Sequence, residues 1–274
     1  MDSVIDLTLP RPFGVTIHPS AMVNRAAVLG RDVQIGPFCT VGPDVTIEDG
    51  ARLVSHVVVD GHTRIGADAV LYPFCTVGLA PQDLKYKGEP TQCEIGARTQ
   101  VREHCTIHRG TATGRGITSV GDGCMLMAVA HVAHDCVLGN NVIVANNVVM
   151  GGHVTIGDYA VIGGAAAIHQ FVRIGRAAMI GGVSGVEGDV IPFGSVIGNR
   201  ARLAGLNVIG LKRRGFEKAA IMSLRTAFQS LFKGSGIFAD RLEETRREFG
   251  ADPLVAEVLA FIGGDSHRGL IRAE

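Results

Sequence analysis

From Ile17 onward an aliphatic side chain recurs at every sixth residue: Ile17, Val23, Leu29, Ile35, Val41, Ile47, Leu53, Val59, Ile65, Leu71 and Val77. The phase restarts at Ile95, Val101 and Ile107, breaks over 113 to 119, and resumes at Val120 for twelve hexads ending at Val186, with Met150 the single unbranched member. Four positions later, 25 of the 26 hexads carry Ala, Val, Cys, Thr or Ser, with Pro81 the exception, and Gly stands one position after the aliphatic in half of them. A period of six suits neither a 3.6-residue helix nor a two-sided strand. It suits short strands joined by tight corners, in which the large residue fills an interior, the small one fits a crowded corner and the glycine relieves a turn where a side chain would clash. Three hexads make one triangular coil of 18 residues. Coils stack at about 4.8 Å, so the repeat predicts roughly nine of them.

The predicted fold is therefore an all-β parallel β-helix of hexapeptide repeats. The pattern is silent on its hand; hexapeptide proteins are left-handed, against the usual crossover rule. The β-helix is expected over 17 to 198, after an N-terminal extension of 1 to 16. Two interruptions, near 79 to 94 and 113 to 119, predict loops leaving the coil, the first with five charged residues and the second rich in Gly and Thr. Loops on a rigid solenoid are tolerated insertions or binding elements. From Pro192 the hexads fade, and 199 to 274 are expected to form a small C-terminal α-helical domain. Phe216, Ala220, Leu224, Phe228 and Leu231 recur at helical spacing, Phe238, Leu242 and Phe249 roughly repeat it, and Asp252 with Pro253 reads as an N-cap and first-turn proline. Such helices would cover the end of the solenoid, whose edge strands could otherwise pair with other chains.

Charge narrows the function. Lys and Arg number 26 against 26 Asp and Glu, which disfavours a broad nucleic-acid or membrane-surface footprint. The start of the chain carries Asp2 and Asp6 and no apolar run, and no stretch approaches a bilayer span, so a cytoplasmic protein without a membrane span is expected. The cysteines, at 39, 75, 93, 105, 124 and 136, show no zinc or redox spacing and all fall in the small-residue phase. They read as inert core packing rather than nucleophiles.

Histidines supply the candidate chemistry. His104, His108, His131, His134, His153 and His169 avoid the two inward phases. His134, Gly152 and Gln170 are one coil apart in turn and should form a column on one face, with His153 beside Gly152 and His169 beside Gln170. A general base one rung from a glycine amide suits acyl transfer: the imidazole takes a proton from an attacking hydroxyl while a backbone N–H meets the oxyanion. Asp135 could orient or charge-stabilise His134, although adjacent residues in a strand point opposite ways.

Six motifs in order give the chain a wider resemblance: QDLKYKGEPT (Gln82 to Thr91), TIHRGT (Thr106 to Thr111), HVAHDC (His131 to Cys136), GGHV (Gly151 to Val154), HQF (His169 to Phe171) and GLKRRGF (Gly210 to Phe216). With them the chain resembles the UDP-N-acetylglucosamine O-acyltransferases, which move a 3-hydroxyacyl chain from acyl carrier protein to the 3-hydroxyl of UDP-N-acetylglucosamine at the start of lipid A synthesis. The resemblance implies His134 as general base and Gly152 as the amide that polarises the thioester carbonyl. It implies that Asp83, Lys85, His108, His131, His153, His169 and Gln170 line the nucleotide-sugar and acyl cleft. Asn207, Arg213 and Arg214 would meet the UDP moiety and the donor's phosphopantetheine or carrier protein, and Gly182 would gauge acyl length, its missing side chain leaving room for a longer chain. It further implies a homotrimer with the cleft between subunits, and neither cofactor nor metal. Two positions depart from the pattern: members can carry glutamate where this chain has Ile209 and histidine where it has Arg200.

Other readings share the architecture. His131, His134 and His153 could instead hold zinc, as in hydratases of the γ-carbonic-anhydrase type. Within acyltransferases the rivals are the later lipid A N-acyltransferase and CoA-dependent enzymes, and a 3-amino acceptor would give an amide in place of an ester. The non-enzyme alternative is a solenoid scaffold with flat polar faces.

Overall fold

The structure, a computed structural model, describes residues 14 to 273; most of the expected N-terminal extension lies outside the described residues. The aliphatic of each hexad closes a short strand, two residues long in most cases, and that strand pairs in parallel with the one a coil away, as in His131 with Val149 and Val149 with Ala167. The strands assemble into three sheets of 11, 9 and 8 strands. These are the sides of a triangular tube. The aliphatics and the small residues four positions on point inward: Ile35, Ile47, Leu71, Ile107, Leu126, Ile156 and Ile162 are almost wholly buried, and so are all six cysteines. Burial pushes the thiols of Cys75, Cys93 and Cys136 up to about 12, which removes them from nucleophilic chemistry.

The corners differ from expectation in one respect. The residue forced into the left-handed region stands three positions after the aliphatic, among them Phe38, Asp68, His104, Asp135, Asn141, His153 and Phe171. The glycine one position after the aliphatic is needed for stacking instead. A Cβ on Gly36 would lie 1.8 Å from the carbonyl oxygen of Val54, and one on Gly96 2.4 Å from the carbonyl carbon of Gly121. It is the next coil, rather than the turn, that leaves no room for a side chain.

Both interruptions open at one corner, where the nine-stranded sheet passes to the eight-stranded sheet. The first lies between the strands Thr76–Leu79 and Gln92–Ile95, the second between Thr106–His108 and Ile117–Val120. Register measures the excess: Thr76 pairs with Val58, 18 residues back, but with Thr106, 30 residues on.

Helix begins later than the sequence suggests. Gly194–Ile197 adds a further parallel strand, and Arg202–Leu206, expected to be helical, returns against it as the antiparallel last strand of the sheet. Four helices follow: α1 (Val208–Arg213), α2 (Lys218–Lys233), α3 (Phe238–Phe249) and α4 (Pro253–Gly263). Phe216 falls in the turn between α1 and α2 rather than in a helix. Asp252 caps α4, its carboxylate accepting from the backbone N–H of Leu254 at 2.9 Å, with Pro253 in the first turn. Leu211, Ile221, Leu224, Phe228, Leu254, Val255, Val258 and Leu259 join the core of the coil, so the helices close the end of the tube. The chain then leaves helix and docks back on the coil, with bridges between Asp189 and Leu270 and between Leu203 and Ala273. Among the described residues no helix is long and apolar enough to cross a membrane.

Candidate active site

His134 and Asp135 stand at the corner from which the two insertions emerge. His134 Nδ1 lies 2.8 Å from Asp135 Oδ2. Strand alternation does not separate these neighbours, because Asp135 sits on the turn with φ of 61° and its side chain swings round to the imidazole. The carboxylate is buried, and the second insertion wraps it: it accepts from the Thr111 hydroxyl at 2.6 Å, the Thr111 N–H at 3.1 Å and the Gly116 N–H at 3.1 Å. A Cβ on Gly114 would lie 2.4 Å from this carboxylate, so the wrap requires glycine there. Burial works to raise the Asp135 pKa, but the hydrogen bonds from His134 and Thr111 and the neighbouring His153 outweigh it and hold the group at about 2. An ionised carboxylate only accepts, so His134 carries its proton on Nδ1 and presents a bare Nε2.

One coil on, the imidazole lies against Gly152, where a Cβ would come within 2.5 Å of its Cε1. The Gly152 N–H donates to no group among the described residues. Base and free amide therefore stand side by side. His153 packs edge-on to His134 at 5.1 Å and stacks on Phe171 at 4.5 Å. His108 and His131 meet edge-on at 5.1 Å, and Thr106 Oγ1 holds His131 Nδ1 at 2.7 Å. Burial lowers His108 to about 4, assisted by His131 and His134, and burial also lowers His131 and His153. His108 Nδ1 is buried with no partner. At neutral pH these three are uncharged rings around the base.

The remaining predicted residues separate into groups. Asp83 and Lys85 lie on the first insertion, where the Asp83 carboxylate accepts from the Lys85 N–H at 2.9 Å. The charge of Asp83 reaches His153, favouring its protonated form. His169 and Gln170 occupy the rung above Gly152, with the Gly151 Cβ position only 2.7 Å from the Gln170 nitrogen. Asn207, Arg213, Arg214 and Gly182 do not converge with His134 in one chain. Asn207 caps α1 by accepting from the Gly210 N–H at 3.0 Å, and donates to the Ala177 carbonyl at 2.9 Å. Arg213 is exposed. Arg214 reaches the Tyr159 carbonyl at 2.8 Å, on the corner between the eight- and eleven-stranded sheets. Gly182 sits at the third corner, where a Cβ would meet only the Gly164 backbone at 3.2 Å.

Sequence reasoning did not anticipate Thr111, Gly114 and Gly116 as the carboxylate's holders, or Phe171 as the ring beneath His153. TIHRGT signals the first, but nothing in sequence shows that its loop folds onto Asp135. The zinc reading does not match the donors. Among the described residues the cluster able to hold a metal is His134, Asp135 and His153, without His131. Its carboxylate is already committed to His134, Thr111 and Gly116.

Residues 189–271 match the family profile described as Udp N-acetylglucosamine O-acyltransferase, Domain 2, and residues 26–61 and 117–152 match that of the bacterial transferase hexapeptide. An acyl-[acyl-carrier-protein]–UDP-N-acetylglucosamine O-acyltransferase of Azorhizobium caulinodans is 54% identical over 254 residues, covering 93% of this chain and 94% of that one. The enzyme of the same name from Bartonella quintana is 50% identical over 255 residues, covering 93% of both chains. Among solved structures, LpxA of Acinetobacter baumannii superposes with a TM-score of 0.88 at 42% identity, over 93% of this chain and 99% of that one. By length, identity and fold together, the chain belongs to the acyl-[acyl-carrier-protein]–UDP-N-acetylglucosamine O-acyltransferase family.

Proposed function

We propose that the protein transfers a 3-hydroxyacyl chain from acyl carrier protein to the 3-hydroxyl of UDP-N-acetylglucosamine, the first step of lipid A biosynthesis. The observation that carries this reading is the pair at the corner: an imidazole with its bare Nε2 turned outward, packed against the free N–H of Gly152. His134 Nε2 takes the proton as the sugar oxygen attacks the thioester carbonyl. The Gly152 N–H meets the oxyanion that forms. When the carbonyl re-forms, the carbon–sulfur bond breaks, and the imidazolium returns its proton to the departing thiolate. Asp135 stays ionised throughout and steadies the imidazolium. No covalent enzyme intermediate, cofactor or metal is required.

The working unit is a homotrimer. His134, Arg214 and Gly182 lie at three different corners of one coil, and a triangular prism brings different corners together only by setting copies side by side. In that arrangement Asp83, Lys85, His108, His131, His153, His169 and Gln170 line the cleft from one subunit, while Asn207, Arg213 and Arg214 reach the nucleotide and the carrier arm from the next. Gly182 leaves space for the acyl tail. The coil is left-handed, the segment after 198 is its capping domain, and the enzyme works in the cytoplasm with its two substrates.

The test is direct. The protein is incubated with UDP-N-acetylglucosamine or its 3-amino analogue and a ladder of 3-hydroxyacyl carrier proteins, with products identified by mass. An ester on the ordinary sugar is expected. An amide formed only with the amino sugar would reassign the acceptor, and no product from any donor would overturn the reading.

A further inference from the structure

The corner that carries His134 does not end with the coil's own residues. Above His134, Gly152 and Gln170, the next position in the column is Gly188, beside Asp189. There the C-terminal tail is laid on as an additional rung. Asp189 N–H donates to the Gly269 carbonyl at 2.7 Å, and Ile271 N–H donates to the Asp189 carbonyl at 2.9 Å. The Asp189 side chain is buried and clamps the tail, accepting from Ser266 Oγ at 2.6 Å and from Arg173 Nε at 2.8 Å. Docked in this way, the tail sends two side chains down to the rung of His169 and Gln170. His267 lies 5.2 Å from Phe171, the ring on which His153 stacks. Arg268 donates from Nε to the Gln170 carbonyl at 2.9 Å, and its terminal nitrogen stands 3.4 Å from His169 Nε2.

These contacts settle the state of His169. Its Nδ1 lies 3.2 Å from the Gln170 carbonyl, which can only accept, and its Nε2 faces a guanidinium, which can only donate. The ring therefore carries its proton on Nδ1 and its lone pair on Nε2. The Gln170 carbonyl in turn takes donors from both sides.

We propose that Arg268, supplied by the C-terminal tail, is a positioning residue of this active site: it fixes the ring of His169 and the backbone of Gln170 on the rung above the reacting amide. The role in turnover rests on the acyl-transfer reading above; the contact itself does not. Because the clamp at Asp189 uses Ser266 and the tail backbone, removing the Arg268 side chain leaves the tail docked.

Three measurements on the full-length protein, wild type against Arg268→Ala and Arg268→Lys, test it. With nitrogen-labelled histidine, the wild type is expected to show a single His169 tautomer protonated at Nδ1, and R268A to lose that preference. Loss of one charge-assisted hydrogen bond should raise the KM of the nucleotide sugar about tenfold, with kcat kept within about threefold and partial recovery in R268K. Hydrogen exchange at the Ile271 amide should not change. Unaltered His169 signals in R268A, or exchange at Ile271 accelerated to the rate of an undocked tail, would overturn the assignment, the latter making Arg268 an anchor of the tail. An inactive wild type would strike the acyl-transfer reading alone, since the tautomer and exchange measurements decide the contact without turnover.

Discussion

At the scale of single residues, the chemistry depends on a carboxylate that neighbouring donors keep ionised. Removing the base in His134→Ala should lower kcat about 10²–10⁴-fold with the circular dichroism spectrum retained, since the ring is on the outside of the tube; wild-type turnover would dismiss it as the base. Asp135 makes a second prediction, about stability. Its pKa falls from an ordinary 3.8 to about 2 in the fold. A depressed carboxylate contributes stability that is fully present above the unfolded value and is lost as pH falls through the folded one, here between 3.8 and about 2. Melting temperatures measured across that range should drop steeply for the wild type. Asp135→Asn, which cannot ionise, should show a shallower slope and a loss of about 2 kcal/mol near neutral pH. That Asp135 reaches His134 at all was not readable from alternation along a strand. The residue sits on a corner with φ of 61°, where alternation stops applying.

At the scale of the element, one coil is a unit of three short strands and three corners, and its tolerance is set by the coil above. Gly36 shows this: a Cβ there would overlap the Val54 carbonyl oxygen at 1.8 Å, and backbone cannot step aside as a side chain can. Gly36→Ala should destabilise the protein by about 2 kcal/mol or more. Thermal unfolding reads the loss, and activity well below the transition should survive because Gly36 lies several coils from His134. An unchanged transition would mean that the coils can part locally at no cost. The hexads made the strands and their inward residues legible, including the buried cysteines. They made the interruptions legible too, but not their purpose, because a break in period says where a chain leaves the coil and nothing about where it returns. Only the fold shows Thr111 and Gly116 closing on Asp135.

At the scale of the whole molecule, residues that one chain holds apart must meet for the proposed reaction. Light scattering should give about three times the chain mass of 28.8 kDa. Co-assembled His134→Ala and Arg214→Ala chains should regain activity that neither variant has alone, since a mixed trimer contains an interface with both residues intact. Failure of mixed trimers to recover would place the complete site within one subunit. Acyl selectivity belongs at this scale as well. Gly182 faces open space beyond the Gly164 backbone, and Gly182→Met should shift preference to shorter donors in a competition assay read by mass; an unmoved preference would remove Gly182 from the acyl path.

The amino-acid sequence by itself determined the coil. A strict six-residue period admits one solution for burying its aliphatics, and the period also sets which residues share a column. It determined the cap of α4 at Asp252 and the inertness of the cysteines, because both follow from local phase. The tertiary structure alone decided what gathers at the corner: the insertion closing on Asp135, Arg202–Leu206 turning back as a strand, and the C-terminal tail returning to lay Arg268 against Gln170, 98 residues earlier in the chain. Contacts of that range arise from the path of the chain through space. No periodicity records them.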